Sequence, residues 1–444
     1  MTIENIKIEN KEIENTQRYA LLSVSDKTDI INFARVLDGL GYRIISTGGT
    51  GRELEYGGVT VLPIQEITGN PECFDGRMKT ISFQAEGGIL FDRKKPSHLE
   101  QARQFNIPAI DIVICNLYPF EKTVAKPDAT LEEAIENIDV GGPTMVRAAA
   151  KNHKNVLVVV DPADYARVTF ALQKGEVTGQ LRQELAAKAF GHLAFYDAQI
   201  ARYLSKEAFP DELTLPLRRN RELRYGDNPD QQAVLYFSPD SKSPLARLQK
   251  LTGRELSATN VTDIEAGINS VRLFDTPAAV VIKHNTPCGI ALGPTPRAAL
   301  ARALEADPES AFGGVVVMNR PMDFEAAKVV AEFKEAGRGQ MDIIAGPGIE
   351  GGALELLQQV RKSTGVYTFG DISTHPYGYT HARAIDGGMV LQTENNPRGS
   401  FINWQVVTKK QPTSHQLEQM KVAWQFIARI RSNTVAVIDA KLPM

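Results

Sequence analysis

An adjacent lysine and histidine, Lys283 and His284, follow the apolar run 277–282 and lead into Asn-Thr-Pro-Cys-Gly at 285–289. A short run of that kind reads as a buried strand, and the segment after it as the turn leaving that strand. Ligands of open α/β sheets sit at the carboxyl ends of strands, so this spacing would deliver a fixed cation and a titratable imidazole together to a cleft. An imidazole can move a proton near neutral pH while an ammonium steadies developing negative charge. A solvated Lys-His pair at a strand end fits the same letters, and the motif by itself does not separate the two.

A second group of residues suits an anion. Ser23-Val-Ser-Asp-Lys-Thr28 and Ser46-Thr-Gly-Gly-Thr50 each follow a strand-like run and open a helix-like one. Small residues let backbone N–H groups approach a phosphate, and a helix N-terminus adds about half a positive charge. The serine and threonine hydroxyls of these loops would add donors and Lys27 a point charge, although serine and threonine also serve as plain helix caps. Arg77 and Lys79 bracket one residue, so an extended segment turns both to one side. Asp139 opens a helix that carries Lys151 at its far end, where a lysine also complements the helix dipole.

These residues need a scaffold, and the apolar patterning supplies one. Strand-like runs at 19–24, 43–46, 59–62, 109–117 and 155–160 alternate with amphipathic helical stretches, predicting a parallel, doubly wound sheet. Two polar-faced helices at 164–204 read as a connector, and the Pro-, Leu- and Arg-rich stretch 210–221 as a break. Strands at 233–237, 278–282, 314–318 and 342–345 then alternate with Ala-rich helices. The expected division is a lead-in at 1–17, a first domain at 18–162, a helical connector at 163–220 and a second domain at 221–444.

Composition excludes several classes. A net charge of −3 argues against a nucleic-acid protein. Three scattered cysteines, Cys73, Cys115 and Cys288, lack metal-ligand spacing and predict neither zinc nor a disulfide framework, but a reducing compartment. The opening residues lack a signal peptide's apolar core and no run reaches membrane-spanning length, so a cytoplasmic protein away from membranes is expected.

The motifs carry more information in their order than singly. Ser-Val-Ser-Asp-Lys-Thr, Gly-Gly-Thr, Asp-Gly-Arg-Met-Lys-Thr, Cys-Asn-Leu-Tyr-Pro-Phe, Ile-Asp-Val-Gly-Gly and Ala-Ala-Ala-Lys-Asn-His succeed one another in the first half. Leu-Arg-Tyr-Gly-Asp-Asn-Pro, Lys-His-Asn-Thr-Pro-Cys-Gly, Asp-Pro-Glu-Ser-Ala-Phe-Gly-Gly and Arg431-Ser-Asn433 follow in the second. From Tyr19 onward the chain resembles the bifunctional AICAR transformylase/IMP cyclohydrolase family of purine biosynthesis. The resemblance implies an N-terminal methylglyoxal-synthase-like cyclohydrolase domain and a C-terminal cytidine-deaminase-like α/β transformylase domain without zinc. It further implies a homodimer that moves a formyl group from 10-formyltetrahydrofolate to AICAR and closes the product, FAICAR, to IMP.

Site residues follow from the same resemblance. Ser23, Ser25, Lys27, Thr47, Gly48, Gly49 and Thr50 would hold the 5′-phosphate, Arg77, Lys79 and Thr80 would line the pocket, and Asn116, Tyr118, Asp139 and Val140 would surround the base. Lys151, with Asp139 and Lys79, would be catalytic in ring closure. His284 would accept the amine proton in formyl transfer and Lys283 would stabilise the charge, with Arg224, Tyr225, Gly313, Asp342 and Asn433 around the nucleotide. Two departures stand out. Ile81-Ser-Phe83 and Glu86 occupy places where the family usually has histidines, and the chain stops at Met444 where the family continues. The second departure leads to the expectation of an incomplete transformylase domain with little formyl transfer. Alternatives are a cyclohydrolase alone or a non-catalytic nucleotide-binding homologue.

Overall fold

The computed structural model describes residues 17–205, 207–239, 241–372, 380–395, 397, 399–430 and 433–438. All of the expected lead-in except residue 17 lies outside this set, as do Arg431 and Ser432. The chain divides into two units, one of Met1–Glu207 with Glu212–Pro216, the other of Ala208–Asp211 with Leu217–Met444.

In the first unit, β1 (Arg18–Val24), β2 (Tyr42–Ser46), β3 (Val61–Pro63), β4 (Ile110–Asn116) and β5 (Leu157–Val159) form one sheet in the order β3-β2-β1-β4-β5. Every pairing is parallel. Successive residues feed opposite cores. Leu21, Val113, Cys115 and Val158 enter one, while Ala20, Leu22, Ile112, Ile114, Leu157 and Val159 enter the other. Helices therefore cover both faces, which is why these strands read as unbroken apolar runs. Strand order reverses between β1 and β4, and such a switch point leaves a crevice at the carboxyl ends of the strands.

The stretch expected as a connector is part of this unit. Tyr165, Val168 and Ala171 of the helix Tyr165–Lys174, and Leu181 and Leu185 of Gly179–Leu204, fill one core. Ala186, Ala189, Leu193 and Tyr196 fill the other. A stripe at 181, 185, 189, 193 and 196 has the helical period of a core-facing surface. The many exposed charges on the remaining faces are what made these helices look like a connector.

The second unit is built on a mixed sheet. It comprises β8 (Gln249–Thr252), β9 (Ala278–Lys283), β10 (Thr286–Leu292), β11 (Val315–Met318), β12 (Ile343–Gly346) and β13 (Gly365–Thr368), in the order β10-β9-β11-β12-β13-β8. The hairpins β6 (Arg218–Leu223) with β7 (Ala233–Phe237), and β14 (Thr380–Ile385) with β15 (Gly388–Thr393), pair separately. Alternation again serves two cores: Val280 and Ile282 enter one, Ala279 and Val281 the other. The segment 285–289, expected as a turn, is mostly strand β10. The turn itself is only two residues, His284 and Asn285, with φ of 55° and 64°, and Lys283 pairs with Thr286 across it. Positive φ at both central residues is the signature of a hairpin turn whose twist matches the strands. Pro287 reads as a turn residue in sequence but is tolerated here because β10 is an edge strand.

Candidate active site

At the carboxyl ends of β1, β2 and β4 the first unit gathers most of the residues expected at a nucleotide. Helix Gly48–Tyr56 starts directly after β2, has no side-chain cap from Thr47 and carries no acidic residue in its first turn. Its leading N–H groups are therefore left to an anion. A Cβ placed on Gly48 would lie 3.8 Å from the Lys79 ammonium, and one on Gly49 would lie 3.9 Å from that of Lys27. Two cations thus flank two consecutive backbone amides. Lys27 Nζ also donates to the Val24 carbonyl at 3.3 Å, and Lys79 pairs with Glu72 at 2.8 Å.

The loop 71–80 brings Lys79 there. Gly76 sits at φ 92°, and a Cβ on it would come within 2.5 Å of Lys79 Cε, so the lysine folds back over a position that only glycine serves well. Arg77 is turned to Glu136 at 2.5 Å. Thr80 is buried, with its hydroxyl 2.7 Å from where a Cβ on Gly141 would stand. Beyond Gly141, Asp139 accepts the Gly142 N–H at 2.8 Å, and its own N–H donates to the Tyr196 hydroxyl at 2.8 Å. A Cβ on Gly142 would meet Asp139 Oδ2 at 2.4 Å, so Gly142 leaves space for the carboxylate as Gly141 does for the Thr80 hydroxyl. Burial pushes the Asp139 carboxyl up, while the Gly142 and Tyr118 backbone N–H groups draw it down. Tyr118 and Val140 are exposed nearby in the chain.

Four further residues expected at the site are placed as follows. Thr50 is buried; its hydroxyl donates to the Val24 carbonyl and accepts the Val24 N–H, both at 3.0 Å. Asn116 accepts from Ser25 N–H at 2.7 Å and Asp26 N–H at 2.8 Å and donates to Asp26 O at 3.1 Å. Lys151 ends helix Gly141–Lys151, ten residues from Gly141. At 1.5 Å per residue this is about 15 Å along the axis. That helix returns the chain toward the start of β5, so Lys151 and Asp139 lie at opposite ends of it. Ser23, the next-to-last residue of β1, pairs in register with Cys115.

Sequence reading missed one residue of this unit and named another, Glu86, only as a departure from the family. Tyr196 was hidden in the supposed connector. Glu86 lies in the first turn of helix Phe83–Leu90, where Ser82 caps through Ala85 N–H. Glu86 Oε1 is buried with no hydrogen-bond partner among the described residues, and burial pushes the carboxyl up to about 7. At low pH both folded and unfolded chains hold this proton. As pH rises through the ordinary range the unfolded chain releases it first, so stability falls until the folded carboxyl also ionises near 7. Glu86→Gln should remove that slope. Denaturation is expected to show a variant more stable than wild type by on the order of 1 kcal/mol above neutrality, after discounting for partial exposure, and no difference near pH ~4. Equal stabilities at both values would refute the reading of an unpartnered carboxyl.

In the second unit His284 is exposed on the hairpin turn between β9 and β10. Asp263, from helix Ala258–Val271, accepts the Asn285 N–H at 2.7 Å and so fixes the turn. Burial pushes the Asp263 carboxyl up, while the Asn285 N–H and His284 pull it down. Asp263 was also missed: in sequence it is an ordinary helix acid. Lys283 Nζ donates to the Phe312 carbonyl at 2.9 Å, which brings Gly313 (φ 72°) beside it in the chain. Asp342 accepts from Arg254 at 2.8 Å, and its N–H donates to the Gly314 carbonyl at 3.0 Å. Arg224 N–H donates to the Leu256 carbonyl and the Ala258 N–H to the Tyr225 carbonyl, tying these residues to the start of the helix that carries Asp263. The Arg224 guanidinium stacks 4.6 Å above the Tyr225 ring. Asn433 is exposed in the last described stretch. Among the described residues no group of three or more His, Cys, Asp or Glu could hold a metal ion, and no helix is long and apolar enough to cross a membrane.

Comparison with known proteins places both units. Residues 149–442 match the model of the AICARFT/IMPCHase bienzyme family and residues 29–144 that of the MGS-like domain. The bifunctional purine biosynthesis protein PurH of Oceanobacillus iheyensis is 42% identical over 422 residues, which are 94% of this chain and 81% of that protein. The PurH of Persephonella marina is 41% identical over 432 residues, covering 96% and 82%.

Proposed function

The chain belongs to the AICARFT/IMPCHase bienzyme family, and from that premise we propose how its two units divide the last two steps of IMP synthesis. The first unit closes FAICAR to IMP with loss of water; the second transfers the formyl group of 10-formyltetrahydrofolate to the 5-amino group of AICAR. The observation that carries this reading is the pairing of Lys27 and Lys79 with the bare amides of Gly48 and Gly49 at a switch point. The cyclohydrolase-only and non-catalytic alternatives gain no support from relatives that match along nearly the whole chain.

In ring closure the carboxamide nitrogen attacks the formyl carbon. A tetrahedral oxygen gains charge and the nitrogen loses a proton before water leaves. Lys79, folded over Gly76 beside the cradle, supplies the cation for that charge; Asp139, raised by burial, is suited to carry the proton. Lys151, expected as a further catalytic residue, stands at the far end of the helix that starts beside Asp139; the part of the proposal argued from geometry concerns Lys79 and Asp139. In formyl transfer His284 takes the amine proton and Lys283 steadies the developing oxyanion. Arg224, Tyr225, Gly313, Asp342 and Asn433 frame the nucleotide. We read the working unit as a cytoplasmic homodimer without resident metal, whose partners are AICAR, FAICAR and IMP.

Purified protein is expected to close FAICAR without folate and to formylate AICAR only with 10-formyltetrahydrofolate. Absence of ring closure at saturating FAICAR would defeat the first assignment. Absence of folate-dependent transfer would defeat the second.

A further inference from the structure

The phosphate cradle of the first unit depends on how two loops are held. Ser25 and Lys27 hang from the end of β1, and Gly48 and Gly49 open the helix after β2. The loop after β1 makes its own turn, in which Asp26 accepts the Thr28 N–H at 2.9 Å and the Thr28 hydroxyl at 2.6 Å, but these local bonds do not tie it to the neighbouring strand or helix. Two buried side chains supply the constraint. Asn116, at the end of β4, reaches across the switch point and bonds the loop three times: it accepts from Ser25 N–H (2.7 Å) and Asp26 N–H (2.8 Å) and donates to Asp26 O (3.1 Å). Thr50, in the first turn of helix Gly48–Tyr56, binds both the N–H and the C=O of Val24 through its hydroxyl. Their relative exposures are 9% and 4%, so neither presents much surface to a ligand. The amide and hydroxyl are occupied by backbone partners.

We infer that Asn116 and Thr50 are positioning residues for the nucleotide phosphate, which they hold in register without touching it. Thr50 ties the helix whose amides face the anion to the strand that carries Lys27. Asn116 sets the height of Ser25 and Lys27 above the sheet. The inference rests on the site assignment above and deepens it. The Ser25 and Asp26 amides, being engaged by Asn116, are not phosphate donors. What remains for the anion is the Gly48 and Gly49 amides, the Ser25 and Thr47 hydroxyls and Lys27, with Lys79 assigned to ring closure.

The test is binding of IMP and of inosine, which lacks the phosphate, to wild type and to Asn116→Ala, Thr50→Val and Thr50→Ser. Calorimetry would measure IMP and competition would measure inosine. Misplacing the donors by about 1 Å should cost a factor of roughly a hundred at most. Asn116→Ala and Thr50→Val should therefore weaken IMP by roughly tenfold to a hundredfold while inosine changes less than about threefold. Thr50→Ser, which keeps the hydroxyl, should bind IMP nearly as wild type does. Equal losses for IMP and inosine would mean general damage to the unit and would overturn the inference, as would unchanged IMP binding. Should Asn116→Ala fail to fold by circular dichroism, the contrast between Thr50→Val and Thr50→Ser still decides it. Wild-type protein that bound IMP no better than inosine would instead sink the phosphate-site assignment and the inference with it.

Discussion

Lys79→Ala is expected to lower kcat/KM for ring closure of FAICAR by roughly a hundredfold to a thousandfold, the range found when one donor to a developing oxyanion is removed. The lysine stands beside the Gly48 amide, is folded over Gly76 and is oriented by Glu72 at 2.8 Å. It is about one-third exposed, so its ammonium is not a structural core element and its removal should leave the fold intact. Lys79→Arg is expected to recover only part of the rate. A guanidinium keeps the charge but is planar and larger, and the space above Gly76 was shaped around a point charge on a thin stem. Formyl transfer by the second unit serves as an internal control. If Lys79→Ala closed the ring within about threefold of the wild-type rate, the charge would have to be stabilised elsewhere, and Lys79 would be reduced to a ligand of the phosphate.

His284→Asn should lower formyl transfer by roughly a hundredfold to ten-thousandfold, the usual contribution of a positioned general base. Asparagine is chosen because it tolerates left-handed backbone better than other side chains, and His284 sits at φ 55°. The hairpin and its tie from Asn285 to Asp263 should survive, so the loss reports chemistry and not folding. Ring closure from added FAICAR should be unchanged. A variant that retained a tenth or more of the transfer rate would remove His284 from the role of proton acceptor and leave Lys283, held by the Phe312 carbonyl, as the next group to test.

Much of this architecture was legible in the residues. The five parallel strands were visible because burial on both faces demands apolar runs, and helices between parallel strands demand amphipathic stretches. The glycine pairs 48–49 and 141–142 mark helix starts, and at 141–142 a side chain would strike the Thr80 hydroxyl and the Asp139 carboxylate. The hairpin turn at 284–285 was expected to run four residues further, to Gly289. Thr-Pro-Cys-Gly has turn chemistry in isolation, and only its position on a sheet edge lets it be a strand. Helix Gly179–Leu204 was misjudged for a similar reason: long polar faces mask a single apolar stripe until a partner surface is known.

The sequence by itself determined which chemistries are present. Its residue types and their order specify two strand-end sites, one built for an anion and one pairing a lysine with a histidine, because side-chain chemistry and local periodicity are properties of short segments. Only the tertiary structure decided which of those residues meet. It set Lys79 against Gly48 and Lys27 against Gly49, although the two lysines stand 52 residues apart in the chain. It also brought the Asn116 and Thr50 side chains to backbone groups of Val24, Ser25 and Asp26. The physical reason is that a polar side chain buried by the fold must satisfy its hydrogen bonds with whatever packing brings near, and which partner that is depends on strand order, which no local pattern encodes.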